Sequence, residues 1–238
     1  RVNKDLGREI IARGRFLTRD DWFKTTSMPV EVIFLNRKHL RSFQKEDTFW
    51  MQAFTLDRTK PKKITQNDIT CVLVHGSHTD TLSRYIYPWE TAILIPSELE
   101  HLRKLHGESK QPAVQFFGHT HVPTFIAAKK IGDKFEIRAH KTMHNQTFNL
   151  EDGYYYMVNP GSVGQPRDRD QRASYAVFDT EERAVTFRRV GYDYTVTAHD
   201  LIAADYPESL VRRLQTAAAA EKETPSEWLE HYEKARSQ

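Results

Sequence analysis

The sequence predicts an α/β fold, because the chain contains both short apolar segments of strand character and segments of helical pattern. The clearest strand covers residues 69–74, a nearly continuous apolar run. Ser97 and Glu100 then have the spacing of a capping box, which predicts a helix that ends near His106. Further strands are predicted over residues 113–117, 124–128, 135–140, 154–159, 174–179 and 184–190.

The chain is expected to form one large domain over residues 1–206 and a C-terminal helical extension over residues 207–238. Thr224 and the proline after it are expected to begin the last helix. A polar insertion at about 36–69 interrupts the domain, and its aromatic side chains are expected to pack locally or against a partner. These aromatic residues are Phe43, Phe49, Trp50 and Phe54, and ahead of them the pattern predicts helices over 5–13 and 18–23 and a strand over 30–34.

Composition excludes several classes of protein. Lys and Arg number 35 and Asp and Glu 32, and the resulting net charge of +3 is too small to indicate a nucleic-acid or membrane surface by itself. Cys71 is the only cysteine, which excludes an intrachain disulfide and a cysteine-based zinc site and suits a reducing compartment. No apolar run approaches the roughly 20 residues of a membrane span, and the charged residues 1–5 do not resemble a signal peptide. We therefore expect a cytoplasmic protein.

Three polar clusters follow predicted strands: residues 75–78 (His-Gly-Ser-His), 118–121 (Gly-His-Thr-His) and 159–162 (Asn-Pro-Gly-Ser). Strand ends are where α/β proteins present ligands and catalytic groups. His119 and His121 are two residues apart, so in an extended chain both side chains lie on one side, roughly 6.5 Å apart at the backbone. They could face two cations about 3.5–4 Å apart, the separation found in two-metal sites.

Each cluster also has a purely structural interpretation. A single histidine after an apolar strand, such as His75, is usually a hydrogen-bonded core residue, and Asn159 with the proline and glycine after it fits an ordinary turn. The other histidines in the centre of the chain are by default expected to have surface or structural roles; they are His78, His101, His106, His140 and His144.

Taken in order, the clusters resemble the calcineurin-like metallophosphoesterase superfamily, and more closely its small bacterial and archaeal phosphodiesterase branch. The matching segments are residues 72–77, 116–123, 158–168 and 173–177, and the resemblance runs with interruptions from about residue 17 to 190. It implies a four-layer sandwich of two mixed β-sheets flanked by helices, with the metal site on loops at one edge. Residues 1–206 would then be the C-terminal portion of a metallophosphoesterase domain.

The resemblance also implies a reaction and its residues. His75 and His119 would bind one divalent metal ion and His121 the other, the ions being Mn, Fe or Zn, and a metal-activated water would hydrolyse a phosphate mono- or diester. His78 stands where relatives often carry proline, which suggests a substrate-side role. Arg167 is expected either to contact phosphate or to pair with Asp168 or Asp170, and pairing is slightly favoured.

The upstream motifs of the family, Asp-x-His, Gly-Asp and Gly-Asn-His, do not occur in residues 1–70. We expect either that the chain starts after these motifs, so that the N-terminal strands and a catalytic residue are missing from it, or that the protein is a non-catalytic member. The missing initiator Met favours the first explanation. Activity would then require motifs that this chain does not contain.

Two rival functions remain open at this point. A non-catalytic scaffold would use the fold to bind a protein partner, with the insertion at about 36–69 and the terminal helices as its surface. A nuclease would use the basic cluster of Lys60, Lys62 and Lys63, although such a cluster is more often a solvated loop. The favoured partner is a phosphate-ester substrate, and no membrane is expected.

Overall fold

In the computed structural model, which describes residues 60–90, 92–218 and 230, the chain forms two β-sheets and three helices. The predicted helices over 5–13 and 18–23, the strand over 30–34, the four aromatic residues of the insertion and the helix expected from Thr224 lie outside these residues. The strands are β1 (Lys62–Gln66), β2 (Ile69–Leu73), β3 (Ala113–Phe116), β4 (Thr124–Ile131), β5 (Lys134–His140), β6 (Thr147–Asn149), β7 (Tyr154–Asn159), β8 (Ala173–Asp179) and β9 (Ala184–Val190). The helices are α1 (Leu94–His106), α2 (Tyr194–Ala203) and α3 (Glu208–Thr216).

The larger sheet has the order β1-β2-β3-β7-β4-β5 and the smaller one β6-β9-β8. In the larger sheet β2, β3 and β7 are parallel neighbours, and the remaining pairs are antiparallel. Leu73 is in register with Phe116, which is in register with Val158. Because these three strands end at the same level, the segments after them emerge side by side at one edge of the sheet.

The two sheets pack face to face through aromatic side chains. The ring of Phe125 stacks on that of Phe148 with centroids 4.1 Å apart, and Phe116 meets Phe178 at 5.4 Å. The opposite face of the larger sheet is covered by α1, whose Leu99 packs with Met157. The predicted α/β fold with two packed sheets is thus confirmed, and in the described residues the smaller sheet is entirely antiparallel.

Helix α1 begins at Leu94, earlier than predicted, so the expected capping box was wrong. Ser97 lies inside the first turn and its N–H donates to the carbonyl of Ile93. Pro96 fits this start, because the N–H groups of a first helical turn need no intrahelical acceptor. Glu100 instead accepts hydrogen bonds from Arg103.

Strand β1 falls within the segment that we expected to be an insertion, yet it pairs with β2 in regular register. Asn67 and Asp68 connect the two strands, and both have positive φ, as a two-residue type I′ hairpin requires. Lys63, from the basic cluster that suggested a nuclease, donates a hydrogen bond to the carbonyl of Leu105 in the last turn of α1. At least this lysine therefore has a structural role.

Helices α2 and α3 pack against one another through Ala198, Val211 and Leu214. The domain boundary expected at residue 206 therefore lies between two helices in contact. None of the three helices in the described part of the chain combines the length and apolar character that a membrane span needs.

Candidate functional site

The segments after β2, β3 and β7 are joined by backbone hydrogen bonds that continue the sheet pairing. The N–H of Phe117 donates to the carbonyl of Val158, and the N–H of Gly118 donates to the backbone carbonyl of His75, both at 2.9 Å. The first two polar clusters therefore meet directly at the sheet edge. The third cluster begins with Asn159, the last residue of the neighbouring strand β7.

His75 and His119 form the centre of this arrangement. The Nε2 atom of His75 lies 3.0 Å from Nδ1 of His119, and the two rings meet edge to face with an interplanar angle of 64°. Two nitrogens that each lie about 2.1 Å from one ion, at a right angle, are themselves about 3.0 Å apart. The pair therefore fits either a shared proton or adjacent positions around a single cation.

His119 and His121 both have left-handed backbone conformations, with φ of 66° and 59°. Residues other than glycine adopt this region at an energetic cost, so surrounding contacts must hold it. The side chain of Asn159, which is fully buried, supplies such contacts by donating to the carbonyl of Gly118 and to the hydroxyl of Thr120, at 3.1 and 2.8 Å. The strand-end asparagine thus fixes the loop that carries both histidines.

Asn159 also orders the turn that follows it. Its Oδ1 accepts the N–H of Gly161 at 2.9 Å. Gly161 has a φ of 88°, and a Cβ atom there would lie 2.6 Å from the hydroxyl of Ser174. The turn therefore requires glycine on two independent grounds, while the asparagine links it to the histidine loop.

His121 is held in a neutral, oriented state. Its Nδ1 lies 2.7 Å from the carbonyl oxygen of Gln165, which requires Nδ1 to carry the proton. Burial, together with the positive charge of Arg167, lowers the pKa of His121 to about 4. A ring whose Nδ1–H is donated to a backbone carbonyl leaves neutral Nε2 available, which is the usual arrangement of a metal-binding histidine.

The structure brings His75 and His119 into direct contact. His121 follows on the same loop, close enough to His119 for the charge of that ring to contribute to the lowered pKa of His121. Across the described residues, no group of three His, Cys, Asp or Glu side chains is arranged to hold a metal ion. Imidazole, the donor type that is present, suits the transition metals expected from the sequence.

His78 lies in the segment after His75 and is bound to helix α1 by Glu98. This carboxylate is fully buried and accepts from the backbone N–H of His78 and, at 2.7 Å, from its ring Nδ1. Gln115 on β3, also fully buried, donates to the other carboxylate oxygen at 2.7 Å. The ring of His101 stacks on the ring of His78, with centroids 4.3 Å apart. The orientation of the His78 ring is therefore fixed, with Nε2 as its remaining polar atom.

Arg167 lies against the histidine loop. Its backbone N–H donates to the carbonyl of His121, and its Nη2 donates to the side chain of Gln165 at 3.1 Å. The Nε atom is buried and has no hydrogen-bond partner in the described residues. Pairing with the neighbouring acids, the alternative slightly favoured from the sequence, was wrong: Asp168 binds Arg189 and Asp170 binds Arg172. Arg189 lies on β9 and Arg172 directly precedes β8, so both acids are paired with arginines of the smaller sheet or next to it.

Sequence reasoning missed Glu98 and Tyr85. The available signal for Glu98 was its place on the buried stripe of α1, three residues after Ile95 and four before Leu102. Tyr85 stacks on His119 with ring centroids 4.1 Å apart. The alternation of Tyr85, Tyr87 and Trp89 was the available signal, since aromatic residues two apart in an extended segment share one side.

The chain is similar to a known protein family and to an archaeal protein. Residues 43–183, more than half of the chain, match the family model described as the calcineurin-like phosphoesterase superfamily domain. An uncharacterised protein of Methanocaldococcus jannaschii is 33% identical over 99 residues, which cover 42% of this chain and 37% of that protein.

Two solved structures are also similar. A metallophosphoesterase from Sphaerobacter thermophilus has 29% sequence identity and a TM-score of 0.48, with 77% of this chain and 63% of that chain covered. A hypothetical protein from Pyrococcus horikoshii OT3 has 17% identity and a TM-score of 0.46, with 67% and 51% covered. The chain thus spans less than two thirds of the length of each of these three relatives.

Proposed function

The chain belongs to the calcineurin-like phosphoesterase superfamily, and from this premise we propose that the protein hydrolyses a phosphate mono- or diester with the aid of two divalent metal ions, Mn, Fe or Zn. The observation that carries the proposal is the approach of His75 Nε2 to His119 Nδ1, at 3.0 Å. Two unlike nitrogens from separate strand ends converge on one point, as two ligands of one ion do.

In this proposal His75 and His119 hold one ion and His121 contributes to the other. Bound cations of this kind lower the pKa of water and neutralise charge that develops on the phosphoryl oxygens. The chain's own contribution is to keep His121 neutral and to orient the loop that carries His119 and His121. The carbonyl of Gln165 fixes the proton of His121 on Nδ1, and Asn159 fixes the loop between His119 and His121.

Arg167 and His78 are the proposed substrate-side groups. Arg167 keeps a guanidinium with a buried, unsatisfied Nε beside His121, and a phosphoryl oxygen is a suitable acceptor for it. His78 is oriented by Glu98 so that one nitrogen remains for a hydrogen bond to the ester. Neither residue needs to move a proton for this role, which is binding and orientation of an anion.

The test uses purified full-length protein with Mn²⁺ and two aryl esters, p-nitrophenyl phosphate and bis(p-nitrophenyl) phosphate. We expect His119→Ala to lose most of the bound metal and to reduce hydrolysis by about 100-fold or more, because a ligand lost from a metal site disables the activated water. The matched control is His199→Ala, a change of an exposed histidine on α2, which should retain full activity.

Two results would contradict the proposal. Equal metal content and activity in wild type and His119→Ala would remove His119 from the site. A wild-type protein that contains no metal and hydrolyses neither ester would instead favour the protein-binding scaffold, the alternative suggested by the polar insertion.

A further inference from the structure

The side chain of Tyr85 covers one face of His119. The two rings are nearly parallel, with centroids 4.1 Å apart and an interplanar angle of 27°. Tyr85 reaches this position because the segment after His75 folds back on itself: the N–H of Gly76 donates to the carbonyl of Thr81 at 2.9 Å. A Cβ atom on Gly76 would lie 2.7 Å from the carbonyl oxygen of Asp80, so the fold-back requires glycine.

Tyr85 is itself part of a longer aromatic stack, formed by the rings of Tyr85, Tyr87 and Trp89. The ring of Tyr85 is 5.8 Å from that of Tyr87, which is 4.9 Å from that of Trp89, both with interplanar angles of 15°. Tyr87 is 5% exposed, and its backbone N–H donates to the carboxylate of Glu90 at 2.8 Å. The aromatic stack therefore has a fixed base, and Tyr85 is its end beside the histidine pair.

We propose that Tyr85 is a positioning residue for His119. With the aromatic stack on one face and His75 at its edge, the imidazole of His119 is confined to a plane in which Nδ1 points at His75 Nε2. Rotation out of this plane would drive the ring edge into Tyr85. The face of a phenol ring also attracts positive charge, so it stabilises an imidazole whose electron density is withdrawn by a bound cation.

This inference rests on the proposed function for its metal, but it concerns a contact that exists without one. It therefore has two consequences. In metal-loaded protein, Tyr85 should raise the affinity of the site for the ion. In metal-free protein, it should maintain the contact between His75 and His119.

The experiment compares Mn²⁺ affinity, and the visible absorption of Co²⁺-substituted full-length protein, among Tyr85→Leu, Tyr85→Phe and wild type. Residues that orient a metal ligand typically contribute about 10-fold or more to affinity, so Tyr85→Leu should weaken binding by about 10-fold and alter the Co²⁺ spectrum. Tyr85→Phe keeps the ring face and should rescue both. The matched control is Tyr175→Leu, at an exposed tyrosine on β8 that is 39% accessible.

In the metal-free protein, long-range ¹H–¹⁵N spectra of the histidine rings report whether a hydrogen bond joins His75 Nε2 and His119 Nδ1. This pattern should persist in Tyr85→Phe and disappear in Tyr85→Leu. Unchanged Mn²⁺ affinity and an unchanged spectrum in Tyr85→Leu would overturn the inference, and so would equal losses in Tyr85→Phe, which would assign the effect to the hydroxyl. Wild-type protein that binds no metal would refute the proposed function, and the NMR comparison would still decide the role of Tyr85.

Discussion

Replacement of Asn159 by alanine tests the central claim about how the histidine loop is held. The buried amide makes three hydrogen bonds: it donates to the carbonyl of Gly118 and the hydroxyl of Thr120, and it accepts from the N–H of Gly161. Asn159→Ala removes all three and leaves a small cavity. We therefore expect a loss of stability much larger than that of an average substitution.

The size of the loss follows from what remains after the change. The carbonyl of Gly118 would still accept from the N–H of Thr120, and the hydroxyl of Thr120 would still accept from Val122. Each of these two groups loses one hydrogen bond, at about 1 kcal/mol apiece. The N–H of Gly161, which is half-buried, loses the acceptor that the asparagine side chain provides, which costs about 1 kcal/mol more. The expected total is a decrease of about 3 kcal/mol in the free energy of unfolding.

The assay is equilibrium urea unfolding of full-length protein, followed by tryptophan fluorescence and circular dichroism. Asn149→Ala is the matched control, because Asn149 is exposed on β6 and should change stability by less than about 0.5 kcal/mol. Mn²⁺ affinity measured on the same samples should also fall in Asn159→Ala, since the left-handed conformations of His119 and His121 lose their support. An Asn159→Ala protein as stable as the control, with undiminished Mn²⁺ affinity, would refute the reasoning.

Three further predictions concern single positions. Gly76→Ala should lower the thermal unfolding temperature and weaken Mn²⁺ binding, because its Cβ would lie 2.7 Å from a backbone carbonyl oxygen. Gly164→Ala is the matched control and should change neither, because a Cβ atom there has no atom within 4 Å beyond its own and the adjacent residues. Cys71 is fully buried and burial raises its pKa to about 12, so it should react with Ellman's reagent at pH 8 only after denaturation, and native reactivity would contradict its placement. Glu98→Leu should destabilise the protein by about 3 kcal/mol, measured by urea unfolding, because it leaves the donors of half-buried His78 and of fully buried Gln115 without their acceptor.

Much of the sheet could be predicted from the sequence because its central strands are buried on both faces. Strands β2, β3 and β7 are runs of apolar residues, and β7 begins and ends at the predicted residues. Strand β1 was not predicted, since only one of its five residues is a large apolar one and its pattern is polar. It is specified instead by a hairpin turn and by pairing with β2, neither of which leaves a periodic apolar signal.

For the candidate site, it was the resemblance to the metallophosphoesterase superfamily that implied that His75 and His119 meet, and the structure brings the segments after β2 and β3 together because parallel strands share their carboxyl edge. The groups that orient the site were not predictable in this way. Glu98 lies on α1, 20 residues after His78, and contacts His78 only because α1 packs on β3. Tyr85 depends on a fold-back whose cause, a close approach at Gly76, is visible only in three dimensions.

The charge balance of the site adds a constraint on any two-metal mechanism. Among the described residues of the site, the pKa of His121 is lowered to about 4 by burial and by the positive charge of Arg167. Two dications about 4 Å apart repel each other strongly unless carboxylates lie between or beside them. The charge of His119 contributes to lowering the pKa of Asp80, yet the Asp80 carboxylate already accepts hydrogen bonds from the N–H groups of Leu82 and Ser83. Glu98, the other acid of the site, is likewise bound to His78 and Gln115, so we expect neither carboxylate to be a metal ligand as it stands.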